Sequence, residues 1–318
     1  MKPKIMKISM KSNLRTMRNI GLLLMFIFNL TAQNMMAQRG KLFNSDNQLS
    51  SNLATQVFQD SNGFIWIATR NGLNIYDGYN FMVIRKTKED NRGLSCNYIN
   101  CITQDAQGHI LLGTNNSLLL YNGKSYANIP LLDSKNQPVS TYVTQVYRLK
   151  NNDIAVVTSG YGIMLKKEDA EVCYAMKGEV ENLKFIHKIL EDKQERLWII
   201  LESGKLYRAD KKRKLTKQIS GTETLEAQDI QQDNKGNIYL ATKNDGVYLL
   251  KAGSTVFTKI AGIGNLPIES IYVSRDQRLF IGCDGMGIFV YNPITGFLQN
   301  NPLFSREVNL AKSKITSI

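Results

Sequence analysis

One pattern returns six times along this 318-residue chain, and no fold that lacks a matching structural unit can accommodate it. Its clearest copy is Asp60-Ser-Asn-Gly63-Phe-Ile-Trp66-Ile-Ala-Thr69-Arg70-Asn71-Gly72-Leu-Asn-Ile-Tyr76. Asp105 to Tyr121 and Asp233 to Tyr248 repeat it closely, while the copies around Leu149–Gly160, Asp192–Ile200 and Ser274–Gly282 are weaker. The turn position of the pattern falls on Gly63, Gly108, Asn152, Glu195, Gly236 and Gln277, spaced 45, 44, 43, 41 and 41 residues apart. Units of this length are longer than tetratricopeptide or leucine-rich repeats. Their apolar residues follow the short period of strands, not the 3.6-residue period of helices.

Each unit divides into four short strands. In the first, Ala54–Gln59 is an inner strand, Asp60-Ser-Asn-Gly63 a tight turn, and Phe64–Thr69 a second strand. Leu73–Tyr76 and Asn80–Arg85 follow after turns at Asn71-Gly72 and Asp77-Gly78. Aspartate bonds turn backbone and glycine accepts positive φ, so the punctuation has a mechanism. Four-stranded units repeated every 40–45 residues predict an all-β fold, a β-propeller. Expected blades span residues 53–86, 98–128, 142–172, 185–218, 226–260 and 267–300. Residues 309–318 match the inner strand of a seventh unit, with Ile318 in the place of Val57, Ile102, Ile230 and Ile271. The expectation is therefore six complete blades and the first strand of a seventh, an incomplete seven-bladed ring. Leu42-Phe43 reads as an outer strand that closes the final blade from the other terminus.

The net charge of +13 first suggests a polyanion partner, but residues 1–37 hold six of the basic residues and no acid. Without them the balance is +7, and Lys211-Lys212-Arg213-Lys214 reads as a solvated loop. No nucleic-acid partner is expected, since such a partner needs a clustered basic face. The apolar run Ile20–Phe28 behind a basic stretch is shorter than the roughly 20 residues of a membrane span. It reads as the core of an export signal covering residues 1–37, cleaved after Ala37 or Ala32. Cys96, Cys101, Cys173 and Cys283 form no CxxC pair, and no essential bridge is expected.

The run Leu49-Ser-Ser-Asn52, followed by Val57-Phe-Gln-Asp60-x-x-Gly63-Phe-Ile-Trp66-Ile-Ala-Thr69-Arg70-Asn71-Gly72-Leu-Asn-Ile-Tyr76-Asp77, resembles the two-component regulator propeller repeat. The resemblance extends over residues 41–318 and is weakest in the fourth and sixth units. It implies the N-terminal part of the periplasmic sensor region of a hybrid histidine kinase of gut Bacteroidetes. Such receptors continue into a second propeller, an immunoglobulin-like domain, a membrane helix and a kinase, and they sense glycans. The implied partners are an oligosaccharide ligand and a homodimer formed through downstream regions, with the membrane reached only through those regions. Localisation is expected to be periplasmic.

No catalytic constellation stands out, and no cofactor or metal is expected. His109 and His187 lack a recognisable partner in sequence. Asp60, Asp105, Asp192 and Asp233 share a turn position, which favours bonding of turn backbone over calcium or acid–base roles. Trp66 and Trp198 hold equivalent strand positions, which favours packing between blades. Binding residues are expected on the rim shared by the second-to-third turns and the starts of the inner strands, because loops on a rigid scaffold carry function. The candidates are Asn52, Arg70, Asn71, Asn97, Tyr98, Asn115, Asn116, Tyr142, Tyr161, Glu202, Lys243, Asn244, Asp245 and Asp284. The leading function is ligand sensing without catalysis. The alternatives are a secreted propeller enzyme of lyase or glycosidase type, which needs convergent acids or a histidine, and a truncated product without function.

Overall fold

A computed structural model describes residues 43–46, 48–86, 93–216, 219–300, 315 and 317–318. The expected leader lies outside these residues, as do Leu42 and most of segment 309–318. Apart from one 3-10 turn at Glu179–Asn182, the regular structure is all strand. Six sheets follow one another along the chain as six blades of a propeller. Their inner strands are Ala54–Gln59, Ile99–Gln104, Val143–Arg148, Ile186–Glu191, Ala227–Gln232 and Ile268–Val273. Within each blade neighbouring strands pair antiparallel in sequence order, as in hairpins. Blade 3 departs from the expected four strands. A small hairpin, Leu131–Leu132 with Pro138–Val139, adds to its outer edge and makes a six-stranded sheet. Leu131 and Leu132 there run parallel to Cys173 and Tyr174.

The core lies between blades. Five apolar clusters fill the five wedges between consecutive sheets. The central strands are therefore covered on both faces, and Ile110–Thr114, Ile154–Thr158 and Ile238–Thr242 are buried throughout. This accounts for the imperfect alternation of their sequences. Trp66 packs near Tyr121 of blade 2, and Trp198 near Phe257 of blade 5, both at 5.8 Å between ring centres. The tryptophans thus serve between blades.

The turn aspartates take the structural role their spacing suggests. Asp192 is fully buried. Its Oδ1 accepts the Gln194 and Arg196 backbone N–H groups at 2.9 and 3.0 Å, and its Oδ2 accepts Trp198 Nε1 at 2.8 Å. Asp60 repeats this arrangement with Asn62, Phe64 and Trp66. In blade 2 the third donor is His109, whose Nδ1 lies 3.0 Å from Asp105 Oδ2. This corrects the expectation that His109 has no partner: its place directly after the turn glycine aims the ring back at the turn carboxylate. All six aligned turn positions have positive φ, from 60° at Glu195 to 90° at Gly63.

At the termini, Phe43 packs on Tyr76 and Phe81 of blade 1, with ring centres 5.6 and 4.8 Å away. No strand is assigned at Phe43. Ile315 sits beside blade 6, where its carbonyl accepts the Ser270 hydroxyl at 3.2 Å. Ile99 and Val143 accept equivalent bonds from the blades before them, so Ile315 occupies an inner-strand start.

Candidate functional site

Every inner strand carries the same irregularity. Its pairing with the second strand slips by one residue just after the start, between Ala54 and Gln56, Ile99 and Cys101, Val143 and Gln145, Ile186 and Lys188, Ala227 and Asp229, and Ile268 and Ser270. A bulge of this kind leaves one residue unpaired and re-aims its side chain. The six bulge residues are Thr55, Asn100, Thr144, His187, Gln228 and Glu269, and all six line one cavity of about 400 Å³ on the propeller axis. Their successors Gln56, Cys101, Gln145, Lys188, Asp229 and Ser270 line it too, together with Ser317 and Ile318.

The wall of this channel is held by bonds passed from blade to blade. Inner strands have no neighbour on their axial edge, so their backbone groups need partners from side chains. Thr55 Oγ1 donates to the Ile99 carbonyl at 2.6 Å, and Asn100 Nδ2 to the Val143 carbonyl at 3.0 Å. In the opposite sense, Gln56, Gln145 and Asp229 accept the backbone N–H of Ile102, Ile189 and Ile271 at 2.8, 2.8 and 2.9 Å. Asp229 also forms an ion pair with Lys188, so carboxylate and ammonium neutralise each other inside the wall.

Three titratable features define the local chemistry. His187 lines the channel, and the surrounding protein, with the Lys188 ammonium beside it, lowers its pKa below the usual imidazole value. The nearby Asp229 carboxylate opposes that shift without cancelling it. Glu269 brings a carboxylate to the wall, and Gln228 Nε2 lies 3.4 Å from its Oε2. Burial pushes the Cys101 thiol up to about 12, which keeps it protonated and unreactive. All four cysteines are free thiols. Among the described residues, no group of three His, Cys, Asp or Glu side chains is placed to hold a metal ion.

The fourteen rim candidates do not line the channel. Three of them come together: Arg70 lies over the Tyr98 ring at 5.4 Å, and Tyr98 meets Tyr142 edge-on at 6.4 Å. Asn115 Oδ1 accepts Asn100 Nδ2 at 3.3 Å and so links rim to channel. Others are occupied locally. Asn52 and Asn97 side chains accept the backbone N–H of Ser45 and Lys86, and Asn116 accepts the Thr114 hydroxyl. Asp245 accepts the Tyr248 hydroxyl at 2.6 Å and pairs with Lys259. Asn71, Tyr161, Glu202, Asp284 and the adjacent pair Lys243 and Asn244 stand exposed on five separate loops. The channel residues carry a signal of their own. Each bulge residue stands eight positions before the turn residue of its unit, and all six are polar.

The two-component regulator propeller family model matches residues 48–71 and 93–116. Over 82 residues the chain is 34% identical to a histidine kinase of Formosa agariphila, a match covering 24% of this chain and 6% of the kinase. In fold it is similar to the extracellular domain of a hybrid two component system from B. thetaiotaomicron, with TM-score 0.69 and 22% identity. That likeness covers 86% of this chain and 38% of the other, so the chain spans well under half of the sensor domain it is similar to. It is similar as well to a catalytically inactive virginiamycin B lyase from Staphylococcus aureus, with TM-score 0.63, 14% identity, and 84% and 89% of the two chains covered.

Proposed function

From the premise that the chain is built of two-component regulator propeller repeats, we propose that it is the ligand-sensing part of a hybrid two-component receptor. In this reading it is exported to the periplasm, responds to a glycan, and performs no catalysis of its own. One observation carries the reading: all six blades contribute a polar bulge residue to one axial cavity, and side chains of the wall bond to the next blade. A ligand on the axis touches every blade at once, so its binding energy bears on the packing of the whole ring. A ligand shifts a receptor only by its differential affinity for two arrangements, and a site shared by all blades offers such a difference. Among the described residues no helix is long and apolar enough to cross a membrane. Attachment to a kinase through following domains belongs to the same proposal.

The test is calorimetry of the folded chain against a panel of oligosaccharides. Saturable binding to at least one member is expected; a folded chain that binds none contradicts the glycan reading.

A second reading, a propeller lyase, draws on His187 and Glu269 sharing the channel wall. The imidazole is biased toward its neutral, base-competent form. It predicts a turnover that disappears in His187→Ala and Glu269→Gln. Sensing is preferred because the family match and the kinase relative both point to receptors.

A further inference from the structure

The residue just before an inner strand has the same backbone task from blade to blade. In five blades its carbonyl accepts a backbone N–H from the turn between the second and third strands: Leu53 from Arg70, Tyr142 from Ser159, Phe185 from Glu202, Glu226 from Lys243 and Pro267 from Asp284. Leucine, glutamate and proline meet this need as well as a ring does, so the fold does not ask for an aromatic side chain there. Blades 2, 3 and 4 nonetheless carry Tyr98, Tyr142 and Phe185 at this place. Tyr142 is 38% exposed and Phe185 57%, so little of either ring serves the core. Phe185 also holds φ at 50°, a region that bulky side chains rarely enter.

The rings form one continuous surface. Tyr98 meets Tyr142 edge-on at 6.4 Å. The turn that carries Tyr161, itself 39% exposed, joins Tyr142 to blade 4. Ser159 N–H donates to the Tyr142 carbonyl at 2.9 Å, and Lys184 Nζ donates to the Tyr161 carbonyl at 3.5 Å. Gly162 lies so close to blade 4 that a Cβ there would meet the Leu183 carbonyl. Among the described residues from Tyr98 to Leu250, the large apolar side chains that stand exposed are Tyr142, Tyr161, Tyr174 and Phe185, all aromatic. Flat rings with hydroxyls at their edges suit a partner that is apolar on its faces and polar around its rim. A pyranose has that shape, with C–H bonds above and below the ring and hydroxyls around it. Donors for those hydroxyls stand beside the rings in the Arg70 guanidinium, 5.4 Å over Tyr98, and in Lys184.

Resting on the glycan reading above, we propose that Tyr98, Tyr142, Tyr161 and Phe185 form a stacking subsite for a glycan chain, outside the axial channel. None of the four lines the channel, although Tyr98, Tyr142 and Phe185 stand two residues before the channel residues Asn100, Thr144 and His187. Rings on three successive blades engage consecutive sugars, so the subsite reads chain length: a long oligosaccharide gains contacts that a disaccharide does not.

The probes are the disaccharides and hexasaccharides of β-1,4-linked glucose, mannose and N-acetylglucosamine, titrated into the full chain by calorimetry. At least one hexasaccharide should bind, about tenfold or more tighter than its own disaccharide. Tyr142→Ala and Phe185→Ala should each weaken that hexasaccharide by about tenfold, and Phe185→Tyr should restore it. Glu226→Ala, at the same place on blade 5, should leave it unchanged. Unchanged melting shows that the blades are intact; if Phe185→Ala melts lower, Tyr142→Ala and Phe185→Tyr carry the test. A hexasaccharide that binds no tighter than its disaccharide overturns the proposal. Sugar binding that both alanine variants retain in full puts the ligand elsewhere, which overturns the subsite and leaves the glycan-sensor reading standing. If those variants instead lose self-association in sedimentation while sugar binding is unchanged, the rings belong to a contact between copies and the proposal falls. Failure of every probe to bind the folded wild-type chain overturns the subsite together with the glycan reading.

Discussion

Single residues in this protein are constrained most tightly at the turn after each inner strand. Gly63, Gly108 and Gly236 hold φ near 90° there, and Asn152, Glu195 and Gln277 hold it between 60° and 69°. A side chain in the left-handed region costs about 1–2 kcal/mol that glycine avoids. Gln277 also leaves its Oε1 buried without a partner. Gln277→Gly is therefore expected to raise unfolding stability by about 0.5–1 kcal/mol after the entropic cost of glycine, read as a higher urea midpoint. The aligned turn was legible because its chemistry is local. His187 was not: Gln228 and Asp229, which face it, come from the next blade, about 40 residues further along the chain. Its folded pKa is depressed, so the neutral form is favoured on folding. The associated stability is present above the unfolded value of about 6.5 and is lost as pH falls through the folded pKa. Melting temperature should therefore drop less between pH 7.5 and pH 5 in His187→Gln than in the wild-type chain, as followed by circular dichroism.

Among strands, the repeated bulge governs what the sheet can present. Where the inner strand slips, the facing second-strand residue is Ala68, Gly113, Val157, Ile200, Ala241 or Gly282. Gly113 and Gly282 are small because the next inner strand leans on them. A Cβ on Gly113 would stand 2.6 Å from the Val143 side chain, and one on Gly282 would stand 2.5 Å from the Ile315 side chain. Gly282→Val is expected to displace the segment at Ile315–Ile318 while blade 6 stays folded. Hydrogen exchange should then show lost protection at Ile318 and retained protection across Leu279–Cys283; protection unchanged at both places contradicts this. Strand positions could be read from the apolar pattern, but the slip could not. A bulge is a property of two paired strands, and its only trace in one strand is a polar residue at a fixed offset. The hairpin at Leu131–Val139 escaped for a related reason: its two-residue strands are too short to show a period.

The ring as a whole is unevenly protected. Ile102, Val146, Ile189, Ile230 and Ile271 are each 5% exposed or less, while Val57, in the same place on blade 1, is 48% exposed. Leu53, Phe64 and Met82 of that blade are exposed as well. Blade 1 therefore shows an apolar face of the kind that each later blade covers with its predecessor, and Ile315 and Ile318 lie against Ser270 and Gly282 of blade 6. Ile230→Ala should cost about 2–5 kcal/mol, as for other buried isoleucines. Val57→Ala in this chain should cost under 1 kcal/mol, since little area leaves water on folding there. Chemical denaturation of both variants measures the contrast, and an equal loss would mean that the blade 1 face is covered in solution.

The order of strands, the turn register and the blade count were determined by sequence alone, because each rests on contacts within about ten residues: a carboxylate on its own turn, a glycine at positive φ, a hydrophobic strand beside its hairpin partner. The tandem period then forced the same solution six times. The location of the candidate site was settled only by folding. Thr55, Asn100, Thr144, His187, Gln228 and Glu269 are more than 40 residues apart in succession and unremarkable singly. They become one surface because strand pairing displaces each of them by one position toward a common axis, and that axis exists only once the blades have packed against one another.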